Sequence, residues 1–222
     1  MSLISAADQE RLKTAFGEMA RPVRLLFFTQ TLGCETCLQT KQILDELPAL
    51  SEKITIEEVN FVLEPATAAE YEIDRVPAIA LVGQDEAGDA RDSKIRFLGT
   101  PAGYEFMSLI QAVLLVGGRP SILSAESLER IAAVSVPTKV HVFTTPTCPH
   151  CPRAVAVAHE MAFANPNITA FAVEATEFPD LARKYSVNGV PKTVVNDAVE
   201  ILGALPPDAF VSQALAAPEP PR

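Results

Sequence analysis

The chain has 222 residues, enough for one large domain or two of about 110 each, and long enough to bury a core. Its hydrophobic content of 48% and charged content of 21% form the balance of a globular protein rather than a disordered one. A net charge of −10 argues against a nucleic-acid binder, whose phosphate contacts need clustered Lys and Arg.

In chain order, Leu12, Phe16 and Met19 recur at helical spacing, which predicts a helix from Ser5 to about Ala20. Val23 to Phe28 reads as a strand, and a loop then carries Cys34 and Cys37 ahead of a helix from Leu38 to Leu47 that Pro48 closes. Ile54 to Leu63 is expected as a second strand and Pro65 to Tyr71 as a short helix with proline at its start. Val76-Pro77 precedes an apolar strand, Ala78 to Val82; the Gly/Asp/Glu-rich stretch from Gly83 to Asp92 reads as a turn, and Ile95 to Leu98 resumes the sheet. A helix follows from about Tyr104 to Val116. Gly117-Gly118-Arg119-Pro120 has the composition of a connection, giving expected units of residues 1–117 and 118–222. Ser124 to Ala133 reads as a short capped helix. The second half then replays the first: strand 139–143, a cysteine pair, a helix to about 164, strand 168–174, helix 179–185, Val190-Pro191, strands 192–195 and 199–202, and a helix near 208–216. The tail Ala217 to Arg222 is expected to be disordered.

The chemistry lies in two motifs, Cys34-Glu35-Thr36-Cys37 and Cys148-Pro149-His150-Cys151, which hold all four cysteines. Two cysteines with two residues between them at a strand-to-helix junction read as a thiol–disulfide redox pair. Positions three apart share a helix face, within reach of a sulfur–sulfur bond. A first cysteine at the helix start has free N–H groups and the positive dipole end to stabilise its thiolate. No cysteine is left for a long-range bridge, which is the usage of a reducing compartment. The N-terminus has no basic and apolar leader pattern, and no apolar run reaches the roughly 18 residues of a membrane span. A cytoplasmic protein without membrane partners is therefore expected.

The register of the repeat is consistent. Cys34 and Cys148, Cys37 and Cys151, Tyr71 and Tyr185, Val76 and Val190, and Pro77 and Pro191 are all 114 residues apart. One fold in tandem is the simplest reading.

Strand, C-x-x-C, helix, strand, helix and Val-Pro before a strand hairpin resembles the thioredoxin and glutaredoxin fold. Phe171 to Pro191 is similar to the thioredoxin segment that leads into its cis-proline. The tandem form, the Cys-Pro-x-Cys-Pro run at 148–152, and Gly99-Thr100-Pro101-Ala102-Gly103-Tyr104-Glu105-Phe106 resemble the two-unit protein disulfide oxidoreductases of archaea and thermophilic bacteria. The resemblance implies an α/β fold class: two tandem thioredoxin-like folds, each a central mixed β-sheet flanked by helices. It implies Cys148 and Cys34 as attacking thiolates, Cys151 and Cys37 as resolving ones, and Pro191 and Pro77 as cis-prolines. The backbone at Val190 and Val76 would pair with an extended substrate. Implied partners are disulfide-containing proteins and a thioredoxin reductase-like flavoprotein as electron donor, with no metal or organic cofactor beyond the redox-active disulfides. The chain departs from thioredoxins in lacking Trp before either motif and an acid on the strand before it; glutathione-binding residues are not evident.

The two sites should differ. His150 places positive charge near the Cys148 thiolate, and its Pro-His dipeptide is that of strongly oxidising bacterial enzymes. Glu35 beside Cys34 disfavours the thiolate. Cys148 is thus expected to be the faster thiol. His141 and His159 read as structural. A rival reading is a dedicated electron carrier to a peroxiredoxin, resembling the N-terminal part of the alkyl hydroperoxide reductase flavoprotein. A Cys₄ zinc module is the non-enzymatic alternative, although pairs in such sites usually stand about 15–20 residues apart. A purely structural disulfide would constrain too little chain to act as a staple.

Overall fold

A computed structural model describes residues 3–216, and the expectation for the tail lies outside them. The chain divides into two compact units. Within the described residues, the first takes 3–93, 98–100 and 113–120, and the second takes 94–97, 101–112 and 121–216.

The first unit opens with α1 (Ala6–Gly17), whose start is fixed by Ser5, since its side chain accepts the Asp8 N–H and so satisfies an orphan donor. β1 (Val23–Thr29) is a β-branched and aromatic run, almost wholly buried. It pairs in parallel with β2 (Ile54–Asn60) and antiparallel with β3 (Ala78–Gln84), so β1 is central. The intervening helices are α2 (Cys37–Leu44) and α3 (Pro65–Glu70), and β4 (Ala90–Leu98) follows β3 as a hairpin partner.

Three of the boundaries that differ from the sequence reading have a visible local cause. α2 stops at Leu44, where Leu47 N–H bonds to Leu44 O and Leu50 N–H to Leu47 O. Such tighter turns keep Leu44, Leu47 and Leu50 all buried at a spacing of three, which an α-helix would rotate apart. β2 stops at Asn60, whose Oδ1 accepts the N–H groups of Val62 and Leu63 at 3.1 and 3.0 Å and so removes them from any ladder. The expected turn from Gly83 to Asp92 contracts to residues 85–89. There Asp85 Oδ1 accepts the N–H groups of Ala87 and Asp89, both at 2.9 Å, and closes a longer hairpin.

The second unit repeats the plan. α4 (Tyr104–Val116) lends it residues 104–112, and α5 (Ala125–Ala132) precedes β5 (Thr138–Thr144). α6 (Cys151–Ala164), β6 (Ile168–Glu174), α7 (Pro179–Lys184), β7 (Lys192–Val195), β8 (Val199–Leu202) and α8 (Pro207–Ala214) follow. β5 is central, parallel to β6 and antiparallel to β7, with β8 outside β7. α5 is capped by Ser124 and tied to α8, because the hydroxyls of Ser124 and Ser127 both donate to Asp208 at 2.7 Å. Each unit thus has mixed parallel and antiparallel strands with helices around them, the thioredoxin-like plan in duplicate. No described helix is long and apolar enough to cross a membrane.

Candidate functional sites

Both cysteine pairs are closed as disulfides, each with its Cα atoms 5.5 Å apart. Each bridges the loop after a central strand to the first residue of the helix that follows, α2 or α6.

In the second unit, register places the surroundings of Cys148. Phe143 stands opposite Lys192, so Pro191 lies beside Thr144 and Val190 beside the cysteine loop. Thr144 is also paired with Glu174 on its other side. The loop is held by Cys148 N–H on Thr145 O at 3.1 Å, and the Cys151 N–H donates to Cys148 Sγ at 3.1 Å. A helix N-terminus thus directs a donor at the first sulfur, which favours negative charge there. Pro152 in the first turn of α6 withholds no useful donor, because that N–H would be an orphan anyway. His150 is exposed, makes no side-chain cap, and stands beside the disulfide. The Val190–Pro191 bond is cis, and Gly203 N–H donates to Pro191 O at 2.9 Å. A cavity of about 540 Å³ opens beside it, lined by Val190, Pro191, Lys192, Glu200 and Leu202 among others. The buried Lys192 ammonium braces that wall, reaching Tyr185 O at 2.6 Å and Glu200 at 2.8 Å.

Neither strand leading into a cysteine motif carries a buried acid, in keeping with the sequence. The structure supplies one from a helix. Tyr104 N–H donates to Pro146 O at 2.9 Å, which docks the start of α4 on the cysteine loop. The contact is so close that a Cβ on Gly103 would stand 2.2 Å from Pro146 O, and Gly103 has φ +59°, so this position needs glycine. The next residue but one, Glu105, is buried with neither carboxylate oxygen in a hydrogen bond. Loss of water pushes its pKa up to about 7; the nearby hydroxyls of Ser108 and Thr144 temper the rise, and the charge of Glu174 adds to it. Spacing held a signal for it. Glu105 shares a helix face with Leu109 and Ala112, both buried, so an acid there had to go inside.

The first site has the same frame with different polar groups. Phe28 opposite Ala78 sets Pro77 beside Thr29, Val76–Pro77 is cis, and Gly99 N–H donates to Pro77 O at 2.9 Å. Cys37 is buried, Cys34 half-buried and Glu35 exposed. Beneath the motif, Thr40 and Thr100 share a buried hydroxyl–hydroxyl bond of 2.8 Å. Asn60 stands at the strand end that Glu174 occupies in the other unit. Hydroxyls and an amide thus take the place of carboxyls. Among the described residues, no three or more His, Cys, Asp or Glu side chains gather where they could hold a metal ion.

The thioredoxin domain family model matches residues 138–216. The chain is 35% identical over 132 residues to the F component of alkyl hydroperoxide reductase from Pseudomonas putida, covering 55% of this chain and 25% of that protein. With the same component from Escherichia coli it shares 27% identity over 186 residues, 84% of this chain and 32% of that one. The chain therefore spans roughly a quarter to a third of these curated relatives. Among solved structures, the NTD_N/C domain of alkylhydroperoxide reductase AhpF from Enterococcus faecalis superimposes with a TM-score of 0.84 at 30% identity, covering 94% of this chain and 98% of that one. A protein disulfide oxidoreductase from Aeropyrum pernix K1 gives 0.86 at 26% identity, covering 95% and 92%. The chain belongs to the family of thioredoxin-like proteins built from two tandem units, which includes both of these.

Proposed function

We propose that the chain is a protein-disulfide oxidoreductase working by dithiol–disulfide exchange through two C-x-x-C sites. The observation that carries this reading is the closed disulfide at each strand-to-helix turn, beside the Val-Pro of the antiparallel neighbour. In the reducing direction, the Cys148 thiolate attacks one sulfur of a substrate disulfide, and the other substrate sulfur leaves as a thiolate. The Cys151 thiol loses its proton and displaces the substrate sulfur from the mixed disulfide, so the protein pair is oxidised and the substrate reduced by two electrons. Cys34 and Cys37 take the same roles at the first site. Glu105, ionising near neutrality at the base of the second site's loop, is the group assigned to accept and return the Cys151 proton. Val190 and Val76 are assigned to the substrate backbone, with Pro191 and Pro77 shaping that edge. His150 and Glu35 are assigned opposite effects on the neighbouring thiolates.

The chemistry needs no organic cofactor or metal beyond the disulfides, and a reducing compartment such as the cytoplasm suits it. Re-reduction falls to a flavoprotein of the thioredoxin reductase type. The similarity to the F component of alkyl hydroperoxide reductase favours a second reading, a carrier that passes electrons to a peroxiredoxin. Reduction of insulin and of a peroxiredoxin, measured side by side, separates the two. Zinc in stoichiometric amount on reduced protein without dithiol turnover would overturn both.

The direct test compares Cys148→Ser with Cys34→Ser in a single turnover of pre-reduced protein against 2-hydroxyethyl disulfide. Cys148→Ser is expected to slow the reaction about tenfold or more, and Cys34→Ser by about threefold at most. Full rate in Cys148→Ser would overturn the assignment of the second site.

A further inference from the structure

Nine large hydrophobic side chains are exposed among the described residues, and four of them lie at one end of the first unit, two flanking its cysteine motif in sequence and two on the turn after β2. Leu32, 84% exposed, lies in the loop before Cys34; Leu38, 69% exposed, follows Cys37; Val62 and Leu63, 65% and 78% exposed, form the turn after β2. Scattered exposed apolar residues need no explanation, but a cluster does.

The fold brings the four to one end of the first unit. Thr29 stands opposite Asn60, and Phe61 N–H donates to Thr29 O at 2.9 Å, so the loops after β1 and β2 leave the sheet side by side. Leu38 shares a helix face with Lys41, which ion-pairs with Glu58 of β2 and so holds the start of α2 over the end of that strand. Asn60 fixes the backbone of Val62 and Leu63 through its two hydrogen bonds, so these side chains are presented on an ordered turn.

The cluster is not a requirement of the fold. At the same 114-residue spacing the second unit has Pro146, Pro152, Thr176 and Glu177. Charge narrows the occupant further. The nearby cations Lys41 and Arg75 are paired with Glu58 and Asp74, while Glu35 is exposed in the motif itself and the exposed Glu64 follows Leu63. The rim is acidic.

We propose that the first site is a docking face for a partner protein whose disulfide is flanked by apolar and basic side chains. This rests on the oxidoreductase reading above. Leu32, Leu38, Val62 and Leu63 cover the partner's apolar flank while the Cys34 thiolate bonds to one partner sulfur and the other leaves as a thiolate. Cys37 then displaces the bound sulfur, leaving the Cys34–Cys37 disulfide and two partner thiols. A small disulfide reaches the sulfur without touching the collar. The second site leads through its chemistry and the first through contact.

The test uses the full chain carrying Cys148→Ser and Cys151→Ser, pre-reduced, in single turnover against three probes. These are 2-hydroxyethyl disulfide, a peptide disulfide with leucine, valine and lysine beside its cysteine, and one with glycine and glutamate there. The apolar, basic peptide is expected to react about tenfold faster than the acidic one. Adding Leu38→Ser, Val62→Ser and Leu63→Ser is expected to abolish that preference and leave the 2-hydroxyethyl disulfide rate within about twofold. Leu32→Ser alone, at the most exposed of the four, is expected to reduce the preference in part. No preference in the parent, a preference that survives the serines, or an equal loss toward all three probes overturns the proposal. A parent unreactive with every probe overturns first-site activity itself. A dimer in sedimentation that the serines dissolve would assign the collar to a second copy of the chain instead.

Discussion

Glu105 joins burial and titration in one side chain. Its carboxyl ionises near 4.5 when solvated and near 7 in the fold, so between these values the native state holds a proton that the unfolded chain has released. The folded state therefore loses stability as pH rises from 4.5 to 7, by about 3 kcal/mol in total. Glu105→Gln should raise the melting temperature by several degrees at pH 8 and leave it unchanged near pH 4; equal melts at pH 8 would count against the buried, unpartnered carboxyl. The same variant should flatten the pH profile of the second-site reaction between pH 6 and 8. His159 has the opposite sign. It is fully buried against the Phe97 ring, with its pKa lowered to about 3 by loss of water, so the stability it permits is complete above pH 6.5 and is lost as pH falls toward 3. Gly103 acts by absence. Gly103→Ala adds a Cβ 2.2 Å from Pro146 O at φ +59°, and should lower stability by about 2 kcal/mol in urea unfolding while slowing the Cys148 site.

At the scale of elements, hydrogen bonds from side chains decide where helices and strands stop. Asn165, buried at the end of α6, donates to Ile131 O and Val134 O at 2.8 and 2.9 Å, while its Oδ1 accepts the Asn167 N–H at 2.9 Å. It closes α5 and turns the chain into β6 together. Asn165→Ala leaves these groups unpaired and should cost about 2–3 kcal/mol, visible as a lower urea midpoint with an unchanged slope. Such devices explain which parts of the fold were legible. Strands rich in Val, Phe and Ile and the helices after each cysteine pair announce themselves by pattern. Their ends do not, since Asn60 and Asp85 act through a side-chain oxygen whose target depends on the turn already formed. Leu47 read as continuing helix because a spacing of three from Leu44 suits both an α-helix and the tighter turn that occurs.

For the whole molecule, duplication was readable from one repeated spacing, and the frame of both sites with it. What escaped was the part supplied from elsewhere in the chain. The acid near Thr144, at the end of the strand that leads to Cys148, arrives on α4, 43 residues before the cysteine, and no motif around Cys148 announces it. The two copies consequently keep one geometry and differ in their polar lining: carboxyls in the second, hydroxyls and an amide in the first. A swap tests whether lining sets behaviour. Asn60→Glu should leave disulfide exchange at Cys34 within about threefold, because the Glu105 counterpart is still missing. A larger gain would show that the strand-end acid acts alone.

The lengthened hairpin of the first unit carries one more consequence. Gly99 and Gly203 each donate to the carbonyl of their proline at 2.9 Å, yet they are 104 residues apart where the prolines are 114 apart. The first copy therefore has ten more residues between proline and glycine, and it places them in β3, β4 and the Asp85-closed turn without disturbing that bond. Length there is free, and between cysteine and proline it is not. The tip at residues 85–89 is accordingly the place to splice in an epitope or a fluorophore-bearing loop and watch the protein at work with both redox centres untouched.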